Sequence, residues 1–274
     1  MRLDLYLYTN RYTDSRQKAK ALISGGQVYV NGVQRTKASY EVQMDAAIEI
    51  RGEVMPYVGR GGYKLAGALQ AFSIHASGFI CADIGASTGG FTDCLLQQGA
   101  AKVFSIDSGS DQLAQKLRCD SRVVVMEQFN ARDLESAHTN GTVDLCVCDV
   151  SFISLKYIFP PVTRILSSYD PARKSGSFVA LVKPQFEAGR DSIGHGGIVR
   201  DKKAHLRVLS EIIEAAAAYQ LYCTSVVPSP IVGGDGNREY LAHFAHNAPD
   251  AANRALNDRA CLWNIVNSNT AQGD

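Results

Sequence analysis

The sequence predicts an α/β protein: a doubly wound sheet preceded by a small α+β module. Three observations carry this. From residue 79 onward, apolar strand-like runs alternate with helix-like segments, the pattern of strands joined by helical crossovers. Residues 1–40 hold seven basic groups against two acids, a local charge of +5, while the whole chain sums to +1 and the remainder to −4. Between the two lies Pro56–Gly62, rich in turn residues and without periodicity. With 274 residues, 46% hydrophobic and 20% charged, the chain has material for a substantial core and is too apolar for disorder. Seven cysteines without a CxxC pair favour neither a disulfide framework nor a zinc site. Arg2 and Asp4 interrupt the start where a secretory signal would be apolar, and no run is long enough for a bilayer. A soluble cytoplasmic protein is expected.

The elements follow in order. Arg2–Tyr8 reads as a short helix with Leu3 and Leu7 on one face. Asp14 or Ser15 can cap a second helix, Arg16–Ser24, which Gly25-Gly26 ends. Gln27–Val30 and Val33–Arg35 are strands around Asn31-Gly32, a type I′ hairpin signal, and Ala46–Arg51 alternates like a third. Arg16 and Lys20 share a helix face, with Arg11 just ahead, so cations can form a row for RNA phosphates. A solvated helix face accounts equally well for the charges alone. Arg2-Leu3-Asp4, Ser15-Arg16-Gln17-Lys18-Ala19 and Gly26-Gln27-Val28-Tyr29-Val30-Asn31-Gly32 resemble the αL-type RNA-binding domain. The resemblance implies structured RNA as partner, and the charge of this module offers Arg2, Arg11, Arg16, Lys18 and Lys20 as the candidate contacts.

In the body, expected strands are Phe79–Ile84, Lys102–Asp107, Val123–Met126, Val143–Val150, Ser177–Val182, Tyr222–Val227 and Tyr240–Ala245. The first five are near-continuous apolar runs, as in strands covered on both faces. Expected helices are Tyr63–Phe72, Gly90–Gln98, Gln112–Leu117, Leu155–Ser167 and Lys202–Tyr219. Leu256, Ala260 and Trp263 have the spacing of a helix that could dock on the body. The domain boundaries read as 1–55, a linker at 56–62, a body at 63–247 and a tail at 248–274.

The chemistry starts at Asp83-Ile84-Gly85-Ala86-Ser87-Thr88-Gly89-Gly90, which leaves a strand, turns on glycine and enters a helix. Such a turn lets backbone approach a ligand and offers helix-start amides to an anion. Asp107 ends the next strand, where a carboxylate meets ribose hydroxyls. A dinucleotide and S-adenosylmethionine both fit this outline; the former prefers G-x-G-x-x-G, which is missing here. Asp149, Lys183 and Glu239 stand at strand ends, and Lys64 opens the helix after the linker. One at a time they read as surface residues. Together, two lysines and two acids converge where a doubly wound sheet places its site, and can neutralise one another.

Gly61-Gly62-Tyr63-Lys64-Leu65, Asp83–Thr92, Asp149-Val150-Ser151-Phe152-Ile153-Ser154-Leu155, Leu181–Glu187 and Asn237-Arg238-Glu239-Tyr240 resemble the TlyA family over residues 1–246. The resemblance implies an RNA-binding domain joined to a Rossmann-like, FtsJ/RrmJ-like methyltransferase sheet. It implies S-adenosylmethionine-dependent 2′-O-methylation of cytidine ribose in ribosomal RNA, within ribosomal subunits. Its Lys-Asp-Lys-Glu tetrad falls on Lys64, Asp149, Lys183 and Glu239. Its cofactor positions fall on Asp83, Gly85, Ala86, Ser87, Thr88, Gly89, Gly90, Asp107 and Asp149, with Asn130 and Asp133 beside the adenine. No metal is implied, and the six histidines lack ligand spacing.

Lys183 is then assigned to the ribose hydroxyl, as base or as charged orienter. Lys64, a neighbouring cation, would favour its neutral form, while Asp149 and Glu239 hold the two lysines. The glycine-rich stretch Gly189–Val199 reads as a lid or as an ordinary connection. Two other classes remain: a non-catalytic RNA-binding protein, and the membrane-active hemolysin that this family's label suggests. The second lacks a spanning run or a long basic amphipathic helix, so no stable membrane association is expected.

Overall fold

The fold is that of a computed structural model, which describes residues 1–13, 15–24, 26–51, 56–189, 192–233, 236–252, 256 and 258–268. The chain forms two compact units, Met1–Pro56 and Tyr57–Asp274.

In the first unit, α1 (Leu3–Thr9) and α2 (Arg16–Ser24) pack beside β1 (Val28–Val30), β2 (Val33–Gln34) and β3 (Ile48–Ile50), in the antiparallel order β2-β1-β3. Leu3, Leu7, Ala19, Leu22, Ile23, Val28 and Val30 form its core, the faces expected from their spacing. Ser15 Oγ accepts the Lys18 N–H and caps α2; Asp14 and Gly25 lie outside the described residues. Asn31 and Gly32 take φ of +50° and +78°, as a type I′ turn requires.

In the second unit α3 (Gly61–Phe72) precedes β4 (Ile80–Ile84), α4 (Gly90–Gln97), β5 (Lys102–Ile106), α5 (Gln115–Arg118), β6 (Val123–Met126) and β7 (Leu145–Cys148). Then come α6 (Phe159–Ile165), β8 (Ser177–Val182), α7 (Pro184–Glu187), α8 (Lys202–Ala217), β9 (Leu221–Pro228), β10 (Tyr240–His246) and α9 (Arg259–Asn267). Among the described residues the sheet has seven strands in the order β6-β5-β4-β7-β8-β10-β9. β6 to β8 are parallel; β10 runs antiparallel between β8 and β9. The chain moves outward from β4 to β6, then returns to β7 on the other side. The crevice for a ligand therefore opens between β4 and β7. Alternate residues face opposite layers: Ala82, Ile84, Cys146 and Phe178 pack with α6, α8 and α9, while Cys81, Leu145, Val147 and Val179 pack with α3 and α4.

Several expectations change. The expected linker 56–62 is shorter, because α3 begins at Gly61 and the Val58 N–H already donates to Asp93 Oδ2 at 2.8 Å. The helix expected over Gln112–Leu117 starts at Gln115: the N–H groups of Asp111, Gln112 and Leu113 all turn to the Glu127 carboxylate, so that stretch winds around an acid instead. Leu155–Ser167 divides into a 3₁₀ turn at Leu155–Tyr157 and α6, since Pro160 and Pro161 are tolerated only in a first turn. In the tail, Leu256 is buried but Ala260 and Trp263 face solvent; Asp258 caps α9 and turns Leu262 and Val266 inward against α8 and β9.

Candidate active site

Gly85 and Gly89, at φ of +83° and +95°, turn the chain from β4 into α4. A Cβ on Gly85 would lie 2.7 Å from the Asp149 carbonyl oxygen, so glycine alone lets the loop reach β7's end. One on Gly90 would meet the Gly62 nitrogen at 3.0 Å, which lays residues 59–62 against the start of α4. The Asp107 carboxylate clamps the loop: Oδ2 accepts from the Ser87 N–H at 2.8 Å and Oδ1 from the Gly109 N–H at 2.7 Å. Each oxygen keeps a lone pair for a sugar hydroxyl. Ser87 Oγ donates to Gln112 Oε1 at 3.2 Å, placing beside the loop a residue that no sequence signal marked.

Asp83 lies wholly under this loop. Its Oδ2 accepts from the Thr92 hydroxyl at 2.7 Å and its Oδ1 has no partner. Burial, with the nearby charge of Asp149, pushes its carboxyl up to about 7. Asn130 caps the 3₁₀ turn Ala131–Asp133 by accepting from the Arg132 N–H, and Asp133 is exposed in that turn. The Phe129 N–H donates to the Asp107 carbonyl oxygen, so this segment borders the Asp107 corner. The residues present fit the expected cofactor: helix-start amides for a carboxylate, and Asp107 for a ribose.

Across the crevice stand the four ionisable residues, as two ion pairs. Lys64 Nζ lies 2.5 Å from Glu239 Oε2, and Lys183 Nζ lies 2.6 Å from Asp149 Oδ1. Lys183 also donates to Ser151 Oγ at 2.8 Å. Lys64, Lys183 and Glu239 are buried and Asp149 is half-buried. A side chain on Gly61, three residues before Lys64, would come within 3.8 Å of Asp149 Oδ2, so α3 brings one pair beside the other. Each lysine rests on its own carboxylate. The two acids thus hold the two lysines as expected, Glu239 on Lys64 and Asp149 on Lys183, because buried opposite charges neutralise locally.

The same motifs supply residues that the sequence left without a role. Glu187 accepts from the Ser154 hydroxyl at 2.6 Å and the Leu155 N–H at 2.8 Å, tethering the segment that follows Asp149; burial pushes its carboxyl above the usual range. Phe152 is 91% exposed with a left-handed φ of +64°, its ring 5.0 Å from that of Phe186. Asn237 holds the Val199 N–H and the Gly197 carbonyl, anchoring the end of the Gly189–Val199 loop; Arg190 and Asp191 in that loop lie outside the described residues. A cavity of about 860 Å³ lined by Arg207, Glu214, Tyr222 and Leu262 holds none of the four ionisable residues.

In the first unit, Asp4 is fully buried and receives Arg2 at 3.0 Å and Arg16 at 2.7 Å. Burial would raise this carboxyl, but the two guanidinium bonds prevail and hold it at about 2. Arg2 and Arg16 are thus oriented by an acid and half-exposed, while Arg11, Lys18 and Lys20 are exposed. Three histidines serve packing: His205 meets Tyr240 Oη and the Val199 carbonyl, His246 donates to the Ser167 carbonyl, and His243 sits between Ser177 and Thr224 hydroxyls. Among the described residues no helix is long and apolar enough to cross a membrane.

Comparison with known proteins accords with this geometry. The model of the S4 domain matches residues 1–48, and that of the FtsJ-like methyltransferase matches residues 57–246. The chain is 39% identical over 267 residues to the 16S/23S rRNA (cytidine-2'-O)-methyltransferase TlyA of Mycobacterium tuberculosis, covering 94% of this chain and 97% of that protein. It is 43% identical over 245 residues to Hemolysin A of Brachyspira hyodysenteriae, covering 89% of this chain and 99% of that one. A solved structure described as a hemolysin from Streptococcus thermophilus superposes with a TM-score of 0.72 at 38% identity, covering 97% and 94% of the two chains. A glycine turn clamped by Asp107, two ion pairs across the crevice, and matches of this extent lead to one assignment: the chain belongs to the FtsJ-like methyltransferase family.

Proposed function

We propose that the protein transfers a methyl group from S-adenosylmethionine to the 2′-hydroxyl of a cytidine ribose in ribosomal RNA, acting on ribosomal subunits in the cytoplasm. The observation that carries this reading is the pairing of Lys64 with Glu239 and of Lys183 with Asp149 beside the Gly85–Gly90 turn. The S4 domain at residues 1–48 and the names of the relatives support RNA as substrate.

The bound cofactor supplies an electrophilic methyl on a sulfonium, which needs no metal to leave as a neutral thioether. The protein's part is alignment and charge. A ribose hydroxyl must sit in line with the methyl while its oxygen gains negative charge as its proton passes to solvent water. An ammonium has three donors; Lys183 gives one to Ser151 and rests against Asp149, keeping capacity for the ribose oxygen. Asp149 fixes that ammonium, and its carbonyl lies against Gly85, so the lysine and the cofactor turn share one rigid corner. Lys64, held by Glu239, adds a second cation that stabilises the developing oxyanion. Phe152, exposed beside this corner, offers its ring to the base of the nucleotide whose ribose enters.

Transfer from radiolabelled S-adenosylmethionine to purified ribosomal subunits tests the proposal. Lys183→Ala should lower turnover on the order of a hundredfold or more while cofactor affinity stays within a few-fold. Turnover within a few-fold of the unaltered protein would refute the role of Lys183, and no transfer by the unaltered protein to either subunit would refute the function.

A further inference from the structure

Four successive residues at the entry to β10 each hold a different part of the second unit. Asn237 anchors the end of the Gly189–Val199 loop, Glu239 pairs with Lys64, and Tyr240 meets His205. Arg238 reaches the tail. Its Nη1 donates to the Val266 carbonyl at 2.8 Å, and its Nη2 donates to the Ile265 carbonyl at 3.1 Å and to the Ser268 carbonyl. The Ile265 and Val266 carbonyls belong to the last turn of α9 and the Ser268 carbonyl to its C-cap, where backbone acceptors lack intrahelical N–H donors and carry the negative end of the helix dipole; the Ile265 carbonyl also accepts from the Ser268 hydroxyl. A guanidinium is the side chain whose fixed fork can serve several of them at once.

The helix that Arg238 caps is itself fixed. Leu262 and Val266 are buried against α8 and β9, and Lys202 at the start of α8 donates to Asn267 Oδ1 at 2.8 Å. Arg238 is therefore tied to a docked element, while the next residue carries a catalytic carboxylate in a tight space: a Cβ on Gly233 would come within 2.7 Å of Glu239 Oε1. Adjacent residues of an extended chain point to opposite sides, so a tether on Arg238 constrains how Glu239 meets Lys64.

We propose that Arg238 is a positioning residue through which the C-terminal helix α9 fixes Glu239 against Lys64. The tail thereby sets the geometry of the reaction site without touching substrate. The proposal rests on the reading of Glu239 and Lys64 as part of that site.

The test measures methyl transfer to ribosomal subunits well below the melting temperature, with cofactor affinity by calorimetry as the check on folding. The variants are Arg238→Ala, Arg238→Lys, a chain ended after Asn247, the last combined with Arg238→Ala, Lys202→Ala, and Glu239→Gln. Arg238→Ala and the shortened chain should each lower kcat on the order of tenfold, with cofactor Kd and the KM for subunits unchanged. Combined, they should lose no more than either alone, because both cut the same tether. Arg238→Lys, a single point donor, should fall between, and Lys202→Ala, which removes one contact on α9 but leaves Leu262, Val266 and Arg238 in place, should lose less kcat than Arg238→Ala, a larger loss counting against the tether. Unchanged kcat in Arg238→Ala or the shortened chain, or losses that multiply in the combination, would overturn the proposal. If Arg238→Ala fails to bind cofactor, Arg238→Lys decides, and full kcat there overturns it as well. Full activity in Glu239→Gln would instead remove the reading of Glu239, a distinct failure.

Discussion

Phe152 keeps a backbone conformation that costs a bulky residue about 1–3 kcal/mol, and it does so to hold an apolar ring in solvent. Glu187 maintains the segment through Ser154 and Leu155, and Phe186 supports the ring from behind. A residue that only closed a turn would be better served by glycine. If the ring receives a base, Phe152→Ala should raise the KM for subunits roughly five- to a hundredfold, the equivalent of one stacking contact. Phe152→Trp should retain most of the affinity and cofactor binding should be untouched; an unchanged KM in Phe152→Ala removes the stacking role. Asp83 makes a different case. Its neutral acid is favoured by burial, so its contribution to stability is full below the ordinary aspartate range and declines as pH rises through about 7. Asp83→Asn should therefore raise the melting temperature relative to the unaltered protein at pH 8, and the gain should vanish near pH 4.

Among the elements, β10 does most to assemble the unit, pairing with β8 on one side and β9 on the other. His243 on this strand has its two ring nitrogens 2.8 and 2.6 Å from the Ser177 and Thr224 hydroxyls, and its ring stacks on Phe72. Burial, with the nearby charge of Lys174, lowers its value to about 4. A histidine kept neutral in the fold stabilises it above its unfolded value of about 6.5, and that stability drains away as pH falls toward 4. The loss amounts to about 3 kcal/mol. His243→Gln should flatten the fall in urea midpoint between pH 6.5 and 4; an unchanged slope would place the acid sensitivity elsewhere. The strand itself was legible in the sequence as an apolar run, and so were the glycine turn and the charges at Asp107, Asp149 and Lys183, because a charge after an apolar run marks where a strand leaves the core. Strand direction was not legible. The residues of β10 are buried whether it runs with or against β8, so the pattern holds no sign of its antiparallel insertion. The partition of four charges into two pairs was hidden likewise, since pairing depends on side chains that converge from residues 64 and 239. The tail's buried face was misread at Ala260 and Trp263, because the cap at Asp258 sets the helical phase.

For the molecule as a whole, charge is divided between the units. The first holds the basic excess, with Arg2 and Arg16 pre-oriented on Asp4 and Arg11, Lys18 and Lys20 exposed. If this unit is the RNA anchor, Arg16→Ala with Lys20→Ala should weaken subunit binding most at low salt. It should flatten the slope of log affinity against log salt by about one to two, with cofactor affinity unchanged. Equal slopes for the variant and the unaltered protein in filter binding would remove these residues from the interface. The order of strands has a further consequence, for a chain still being synthesised. The cofactor corner is built from β4 to β7, its last contributor being Asp149 at the end of β7, whereas Glu239 arrives at the entry to β10, the last strand of the sheet, inserted between two strands made before it. At roughly 5–20 residues per second of translation, the nascent protein spends several seconds or more with the residues of its cofactor corner made and its second ion pair not yet synthesised. If the Lys64–Glu239 pair takes part in the reaction, catalytic competence is among the last properties the polypeptide acquires, since Glu239 enters with the last strand made.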